Sequence, residues 1–329
     1  MNTEYEMPKV ELHLHLEGAA PPLFIQQKAY EKNMDIGGIF DKDGNYFFRD
    51  FEHFLSIYET ATSVLTSPMD FYKLTRAVLE QSAKNGVIYT ETFLSPNFCG
   101  NAEIGAWREY LSAIEEAANE AEKSSGITMK GIVTCIRHFG AETAKKVALC
   151  AAETAGDFIC GFGMGGDEAI GMQSDYLDSF DIAREAGLSL TTHAGEWGGA
   201  ESVRQAIFDL NVQRVGHGVQ VIDDPDLVQE LIDRDITLEV CPGSNVALQM
   251  FPDMPTHPIA RLKDMGVKVT VSTDDPPFFH TDMRKEYSKL SKAFGWCKED
   301  FKELNRTALT SAFCDNTTKT KLRKRLDAA

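Results

Sequence analysis

Short apolar, β-branched segments alternate along the chain with longer segments whose apolar residues recur at helical spacing. Short apolar runs bounded by turn residues are typical of buried strands, and apolar residues three or four positions apart are typical of amphipathic helices. The strands predicted in this way cover residues 10–15, 87–93, 129–136, 158–164, 189–193, 214–217, 237–241 and 268–273. The predicted helices include residues 51–65, 70–85, 106–123, 142–154, 174–186, 201–209, 224–233 and 258–265.

The regular alternation of strands and helices predicts parallel βα units. A doubly wound open sheet alternates in the same way, but it would have a glycine-rich phosphate loop after its first strand. Here the first strand ends in His-Leu-His-Leu-Glu-Gly at residues 13–18. The sequence therefore predicts an α/β fold, a single-domain (β/α)8 TIM barrel over residues 1–329. We expect a helical lid inserted at about residues 20–85 and a C-terminal helical segment at about residues 282–329.

The charge balance excludes several classes of partner. The 329 residues include 33 Lys and Arg against 50 Asp and Glu, which gives a formal net charge of −17. Such a chain is repelled by phosphate backbones and by anionic membrane surfaces, so neither nucleic acid nor membrane is the expected partner. The hydrophobic share of 43% with 25% charged residues is ordinary for a folded globule. Nothing in these numbers sets the oligomeric state.

Cysteine spacing and hydropathy together indicate the expected cellular compartment. The seven cysteines are scattered, with no C-x-x-C pair. No apolar stretch is long enough to span a bilayer. We therefore expect a reduced cytoplasmic protein.

Two histidines end the first predicted strand. His13 and His15 lie two positions apart, so on a strand they share one face. Two neutral imidazoles that converge on one point suit a borderline divalent metal. The strand end also matters, because active sites of TIM barrels are built where the strands end. The pair is therefore a candidate for metal binding.

Three further polar clusters lie at the ends of later predicted strands. One offers an imidazole with a carboxyl three residues later, one a histidine between two glycines, and one two adjacent carboxyls. Together with the first pair, they describe a single metal site with an open position and separate proton-handling groups. The residues are His193 and Glu196, then His217 between Gly216 and Gly218, and then Asp274 and Asp275.

Other polar residues receive structural interpretations. Histidines without such company are predicted to be structural: His53, His138, His257 and His280. Cys241 is predicted as an ordinary strand-end residue beside a polar loop that contains Ser244 and Asn245. No lysine stands at a predicted C-terminal strand end, which argues against a hydrolase with two metals bridged by a carboxylated lysine.

The helix predicted at residues 51–65 carries an apolar stripe. Phe51, Phe54, Leu55 and Tyr58 fall on one face at helical spacing. They are predicted to form the inner surface of the lid and to contact the substrate. Plain core packing remains the alternative, since an apolar helical stripe usually packs in the core.

The motifs appear in a recognisable order. His-Leu-His at 13–15, His-Ala-Gly-Glu at 193–196, Gly-His-Gly at 216–218 and Ser-Thr-Asp-Asp-Pro at 272–276 resemble the adenosine/adenine deaminase family of the metal-dependent amidohydrolases. The resemblance covers about residues 8–287 and implies a zinc-dependent barrel with one Zn²⁺ per chain. It implies zinc ligands at His13, His15, His193 and Asp274. It also implies a general acid at Glu196 and a metal-adjacent histidine at His217. Finally, it implies an acid that orients the purine at Asp275 and a backbone that faces the purine at Gly166.

The resemblance also implies the reaction. Zinc lowers the pKa of a bound water to roughly 7, which supplies hydroxide for attack on purine C6. His217 and Asp274 accept hydrogen bonds from that water or its proton and hold it facing C6. Glu196 protonates N1 of the ring, and the C6 intermediate loses ammonia. The leading expectation is deamination of adenosine and 2′-deoxyadenosine to inosine. The alternative is deamination of adenine to hypoxanthine, or of another 6-aminopurine nucleoside.

Two positions depart from the adenosine deaminase pattern. Glu17 stands where that pattern commonly has Asp, and Phe93 stands where it commonly has Arg. Both resemble the adenine deaminase branch, and Glu17 is predicted to contact the substrate. By contrast, residues 166–168 and 215–218 resemble the adenosine branch. The absence of a basic phosphate cradle in this acidic sequence favours an uncharged purine nucleoside or base over a nucleotide.

Overall fold

Eight parallel strands form the centre of the molecule, in a computed structural model that describes residues 5–328. Each strand is hydrogen-bonded to the next one in chain order. The first and last strands meet where His15 N–H donates to the carbonyl oxygen of Asp274 at 3.1 Å. The nearly closed barrel confirms the predicted TIM barrel. Its strands are β1 (Lys9–His15), β2 (Val87–Leu94), β3 (Thr128–Ile136), β4 (Ile159–Gly165), β5 (Ser189–Ala194), β6 (Arg214–His217), β7 (Thr237–Val240) and β8 (Lys268–Val271).

Helices surround this barrel and follow its last strand. Those before β5 are α1 (Pro22–Lys32), α2 (Phe51–Thr62), α3 (Pro68–Lys84), α4 (Ile104–Ser125), α5 (Ala141–Glu153) and α6 (Leu177–Glu185). Those after β5 are α7 (Gly199–Phe208), α8 (Pro225–Asp233), α9 (Pro242–Ala247), α10 (Ile259–Asp264), α11 (Met283–Phe294), α12 (Lys298–Ser311) and α13 (Asn316–Asp327).

Local sequence explains where these elements begin and end. All eight residues of β2 are buried, as expected for a parallel strand covered on both sides. Helix α2 begins after Asp50, whose carboxylate accepts a hydrogen bond from the backbone N–H of His53. Helix α4 ends at Gly126, where a φ of 74° requires the left-handed conformation that glycine adopts readily.

The segment between β1 and β2 contains three helices. Helix α3 packs along α4 in the outer layer of the barrel, whereas α2 reaches the mouth of the barrel. Helix α1 was not among the predicted helices, because its apolar residues give only a weak helical period. The role of residues 20–85 as a lid remains a prediction.

The C-terminal helices pack against the opposite end of the barrel. A second, smaller apolar cluster joins the first residues of β1 and β2 to α12 and α13, and it includes Val10, Leu12, Leu309, Leu322 and Leu326. Residues 1–4 and 329, at the ends of the predicted domain, lie outside the described residues. Within residues 5–328, no helix is both long and apolar enough to cross a membrane.

Candidate active site

Residues at the carboxyl ends of the strands line one cavity. Several lie next to one another there because successive parallel strands deliver their last residues to the same end of the barrel. The predicted site residues in the cavity lining are His15, Phe51, Phe54, Leu55, Tyr58, Gly166, His193, Glu196, His217, Asp274 and Asp275. His13 lies beside them, with its ring 4.7 Å from that of His193.

Three imidazoles and one carboxylate form a compact cluster. One nitrogen from each of His13, His15 and His193 lies within 4.8 Å of the others. Asp274 Oδ1 lies 3.5 Å from His13 Nε2 and 3.4 Å from His15 Nε2. Among the described residues, the buried Nε2 atoms of His13 and His193 have no hydrogen-bond partner. Because an unpaired buried polar atom costs free energy, the cluster fits a divalent metal held by three nitrogens and one oxygen.

Buried polar groups hold this cluster from behind. Glu239 Oε2 lies 2.9 Å from His13 Nδ1, which leaves His13 Nε2 facing the cluster. The hydroxyl of Ser244 donates to Asp274 Oδ2 at 2.7 Å. The sequence signal for these contacts was weak, because a glutamate inside a strand and a serine in a loop are common in many proteins.

Two cavity residues have a strained backbone. His217 and Asp274 adopt positive φ angles of 59° and 67°. Non-glycine residues in this region cost about 1–3 kcal/mol each and are found mainly where a site requires them. The strained backbone aims both side chains into the cavity.

Two cavity carboxyls are poised to hold protons. Burial, followed by the nearby Asp274 carboxylate, raises the pKa of Glu196 well above its usual range. The same two causes raise the pKa of Asp275. Asp275 Oδ1 is buried without a hydrogen-bond partner in the described structure. Both groups can therefore donate a proton or a hydrogen bond to a bound ligand.

The backbone around Glu196 is fixed by Glu168, which the sequence placed in a motif without giving it a role. Its carboxylate accepts hydrogen bonds from the backbone N–H groups of Glu196 at 3.4 Å and Trp197 at 3.0 Å, and from that of Gly198. These contacts fix the loop that carries Glu196.

Glu17 lies behind the cavity wall. It is 3% exposed, and it is absent from the described cavity lining. Its Oε1 accepts a long hydrogen bond of 3.4 Å from the backbone N–H of Ser95, a lining residue, and its Oε2 has no partner. Burial raises the pKa of Glu17 to about 7. The Glu17 side chain is thus not part of the described cavity lining, and its contact with the substrate remains a prediction.

Two histidines predicted to be structural lie in or next to the site. His138 lines the cavity, and its Nε2 lies 3.4 Å from Glu59 Oε1. His257 is linked through Asn245 to His217. Neither His138 nor His257 carried a sequence motif that would distinguish it from a core histidine.

Comparisons with known proteins identify the family. A family model described as adenosine deaminase matches residues 8–329. A protein named adenine deaminase from Rhizobium rhizogenes is 45% identical over 320 residues, which are 97% of this chain and 99% of that protein. Another of that name from Agrobacterium fabrum is 41% identical over 98% of both chains. The crystal structure of adenine deaminase from Arthrobacter aurescens superimposes with a TM-score of 0.90 at 28% identity over 98% of both chains.

These comparisons correct one expectation and confirm another. Adenosine as the leading substrate is wrong, because relatives 38–45% identical over almost the whole chain are named adenine deaminase. The expected enzyme class is confirmed, a hydrolase acting on C–N bonds of cyclic amidines. The chain belongs to the adenosine deaminase family.

Proposed function

We propose that this protein hydrolyses the 6-amino group of free adenine and releases hypoxanthine and ammonia. The observation that carries the proposal is the near-complete alignment with adenine deaminases at up to 45% identity. Phe93 supports it, since its buried ring packs 4.6 Å from that of His13 and 4.8 Å from that of His15. An apolar ring at this position offers no hydrogen bond to a ribose.

Glu17 supports the same substrate. We propose that its unpaired Oε2 meets the bound base beside Ser95, in space that a ribose would otherwise need. The substrate class is thus a small, uncharged purine base. Because this chain has a net charge of −17, a negatively charged nucleotide is a poor partner.

The cluster of His13, His15, His193 and Asp274 would hold one Zn²⁺ per chain. Three nitrogens and one carboxylate oxygen are the donors that zinc prefers in catalytic sites. When bound there, zinc supplies a Lewis acid that lowers the pKa of a water ligand to roughly 7.

The protein's own residues would then move the protons. As a water oxygen bonds to C6, one of its protons passes to Asp274, and Glu196 protonates N1, which takes the electron pair of the C6–N1 double bond. Asp274 then gives its proton to the departing amino group as the C6–N bond breaks. The proton of the C6 hydroxyl returns to Glu196. The products are hypoxanthine and ammonia, and both carboxyls recover their starting states.

Other residues would bind and enclose the base. Asp275, protonated, would donate to N7, and the backbone of Gly166 would face the ring. The α2 residues Phe51, Phe54, Leu55 and Tyr58 would exclude water, and the Phe51 ring packs 5.2 Å from that of Trp197. Excluding water strengthens every electrostatic contact with the base.

We also propose that the protein resides in the cytoplasm. All seven cysteines are free, and four of them are fully buried. Free thiols in this number suit a reducing compartment.

The substrate proposal predicts a clear preference among purines. Zinc-loaded protein should show kcat/KM for adenine about 100-fold or more above that for adenosine and 2′-deoxyadenosine, because a ribose must displace buried groups near Glu17. Ammonia release from each substrate measures the rates. A Glu196→Gln preparation, purified in parallel, controls for contaminating deaminases. Equal rates with adenine and adenosine would overturn the proposal.

A second prediction concerns the space between the imidazoles. A Cβ atom on Gly216 would lie 2.9 Å from His13 Cε1 and 3.0 Å from His193 Cδ2, so Gly216→Ala must push the rings apart. We expect zinc affinity, measured by competition with a chelator, to fall about 10-fold or more. Gly163→Ala is the control, because there the nearest side-chain atom is a methyl of Thr191 at 3.2 Å. Unchanged zinc affinity in Gly216→Ala would contradict the ligand assignment.

A further inference from the structure

A chain of hydrogen bonds runs from the backbone of α10 to the cavity histidine. The N–H of Ile259 donates to His257 Nδ1 at 3.2 Å. His257 Nε2 lies 3.1 Å from Asn245 Oδ1, and Asn245 Nδ2 lies 3.2 Å from His217 Nδ1. The three side chains are at most 2% exposed. Water therefore does not compete for these bonds.

The first donor fixes the direction of every bond in this chain. A backbone N–H can only donate, so His257 Nδ1 accepts and the ring carries its proton on Nε2. That proton is donated to Asn245 Oδ1, which turns the amide NH₂ group towards His217. His217 Nδ1 accepts from it, and the proton of the His217 ring lies on Nε2. A flipped Asn245 amide would set its NH₂ group against the His257 Nε2–H, donor against donor.

We propose that His217 meets the substrate as a hydrogen-bond donor through Nε2–H, and that Asn245 and His257 are positioning residues that impose this tautomer. His217 Nε2 is buried and has no protein hydrogen-bond partner in the described structure. It lies 3.6 Å from Glu196 Oε2 and 4.0 Å from Asp274 Oδ2, the two carboxyl groups to which the proposed mechanism assigns the proton transfers. The inference rests on the proposed deamination and assigns the part that His217 takes in it.

The tautomer decides between two chemical roles. As a base, His217 would need a lone pair on Nε2 and a proton on Nδ1, and that proton would need an acceptor. The only acceptor of the facing Asn245 amide is already bonded to His257. His217 therefore neither gains nor loses a proton. It donates a hydrogen bond to the oxygen that adds to C6 and thereby holds that oxygen in position, and the proton of the water goes to a carboxylate.

The tautomer can be read directly by NMR. In zinc-loaded protein labelled with ¹⁵N-histidine, long-range ¹H–¹⁵N correlations distinguish protonated from unprotonated ring nitrogens, and a His217→Gln variant assigns the signals. We expect a protonated Nε2 and an unprotonated Nδ1 for His217. The opposite pattern would overturn the inference. The spectrum needs no substrate, so it stands whichever purine the enzyme deaminates.

A nearly isosteric substitution should reverse the tautomer. In Asn245→Asp, the carboxylate accepts from His257 and from His217 at once, which draws the His217 proton to Nδ1. We expect kcat for adenine to fall roughly 10–100-fold, as is typical for residues that orient others in metal sites, with little change in KM. The NMR pattern of His217 should reverse in the same variant.

The matched control is Asn305→Asp. Asn305 is 1% exposed and hydrogen-bonds Val10 and Phe301, on α12 and far from the cavity. The same added charge should lower stability there, but leave both kcat and the His217 spectrum unchanged. A reversed tautomer with full activity in Asn245→Asp, or an unreversed tautomer in that variant, would contradict the proposed role.

Discussion

Replacing Glu196 with glutamine should lower kcat for adenine by about 10²–10⁴-fold, the usual contribution of a positioned general acid. Glutamine has the same shape but cannot give a proton to N1, so the ring cannot accept the electron pair as C6 is attacked. Glu196 is 4% exposed and its raised pKa keeps it protonated, which suits this task. Its neighbours His193 and His217 stay in place, because the backbone of the loop is held by Glu168.

Two measurements distinguish loss of the proton donor from disruption of the metal site or the fold. Zinc content should remain one per chain, because Glu196 is outside the proposed ligand set, and the thermal unfolding temperature should not fall. Glu201→Gln is the matched control: Glu201 lies in the first turn of α7 with an exposed side chain, and its substitution should leave kcat unchanged. If Glu196→Gln keeps kcat within a few fold of wild type, Glu196 is not the acid.

The barrel and the close approach of the candidate metal ligands were predictable because both depend on short sequence segments. Residues 87–93 and 129–136 are short segments rich in apolar and β-branched residues, which is typical of strands covered on both sides. His13 and His15 share a face through the strand period alone. His193 and Asp274 then follow, since parallel strands in a barrel place their ends together.

The groups that orient the cavity residues were not predictable in this way. Asn245 and His257 are twelve residues apart; Asn245 contacts His217, and His257 contacts Asn245, only through the packing of α9 against the segment that leads into α10. Hydrophobic periodicity indicates which face of an element is buried, but it does not indicate which buried polar atoms face one another. For the same reason, the contact of Glu239 with His13 had no signal in the sequence.

The error about the substrate has a physical cause. Residues 166–168 and 215–218 weighed towards adenosine, yet in the structure Gly166 and His217 line the cavity beside the candidate metal ligands, which the proposed reaction uses with either substrate. They therefore hold no information about a ribose. Glu17 and Phe93, which pointed to the free base, are buried next to cavity-lining residues, Glu17 beside Ser95 and Phe93 beside His15.

A buried arginine connects the metal cluster to the interior of the barrel. Arg214 is 1% exposed and lies between two buried carboxylates, with NH1 2.6 Å from Glu91 Oε2 and Nε 2.5 Å from Glu239 Oε1. Its guanidinium also stacks 3.5 Å above the ring of Phe313, which follows α12. Glu239 in turn contacts His13. One guanidinium therefore forms ion pairs with two carboxylates beneath the site.

Arg214→Gln should destabilise the fold by about 3–5 kcal/mol, the usual cost of leaving buried charges unpaired. That is a large part of the roughly 5–15 kcal/mol that stabilises a typical domain. Urea unfolding followed by circular dichroism measures the loss. The control is Arg108→Gln, whose ion pair with Glu153 is at least half exposed on both sides and should contribute only about 0–1 kcal/mol.

A second substitution tests whether the unpaired charge is the cause. The double variant Arg214→Gln/Glu91→Gln lacks the Glu91 carboxylate, which is one of the two that Arg214→Gln leaves without an ion-pair partner. The double variant should therefore be more stable than Arg214→Gln alone. Glu239 would then keep its contact with His13. Additive losses from the two substitutions would mean that Arg214 stabilises the barrel by filling space, because packing losses at one site do not cancel when a neighbouring charge is removed.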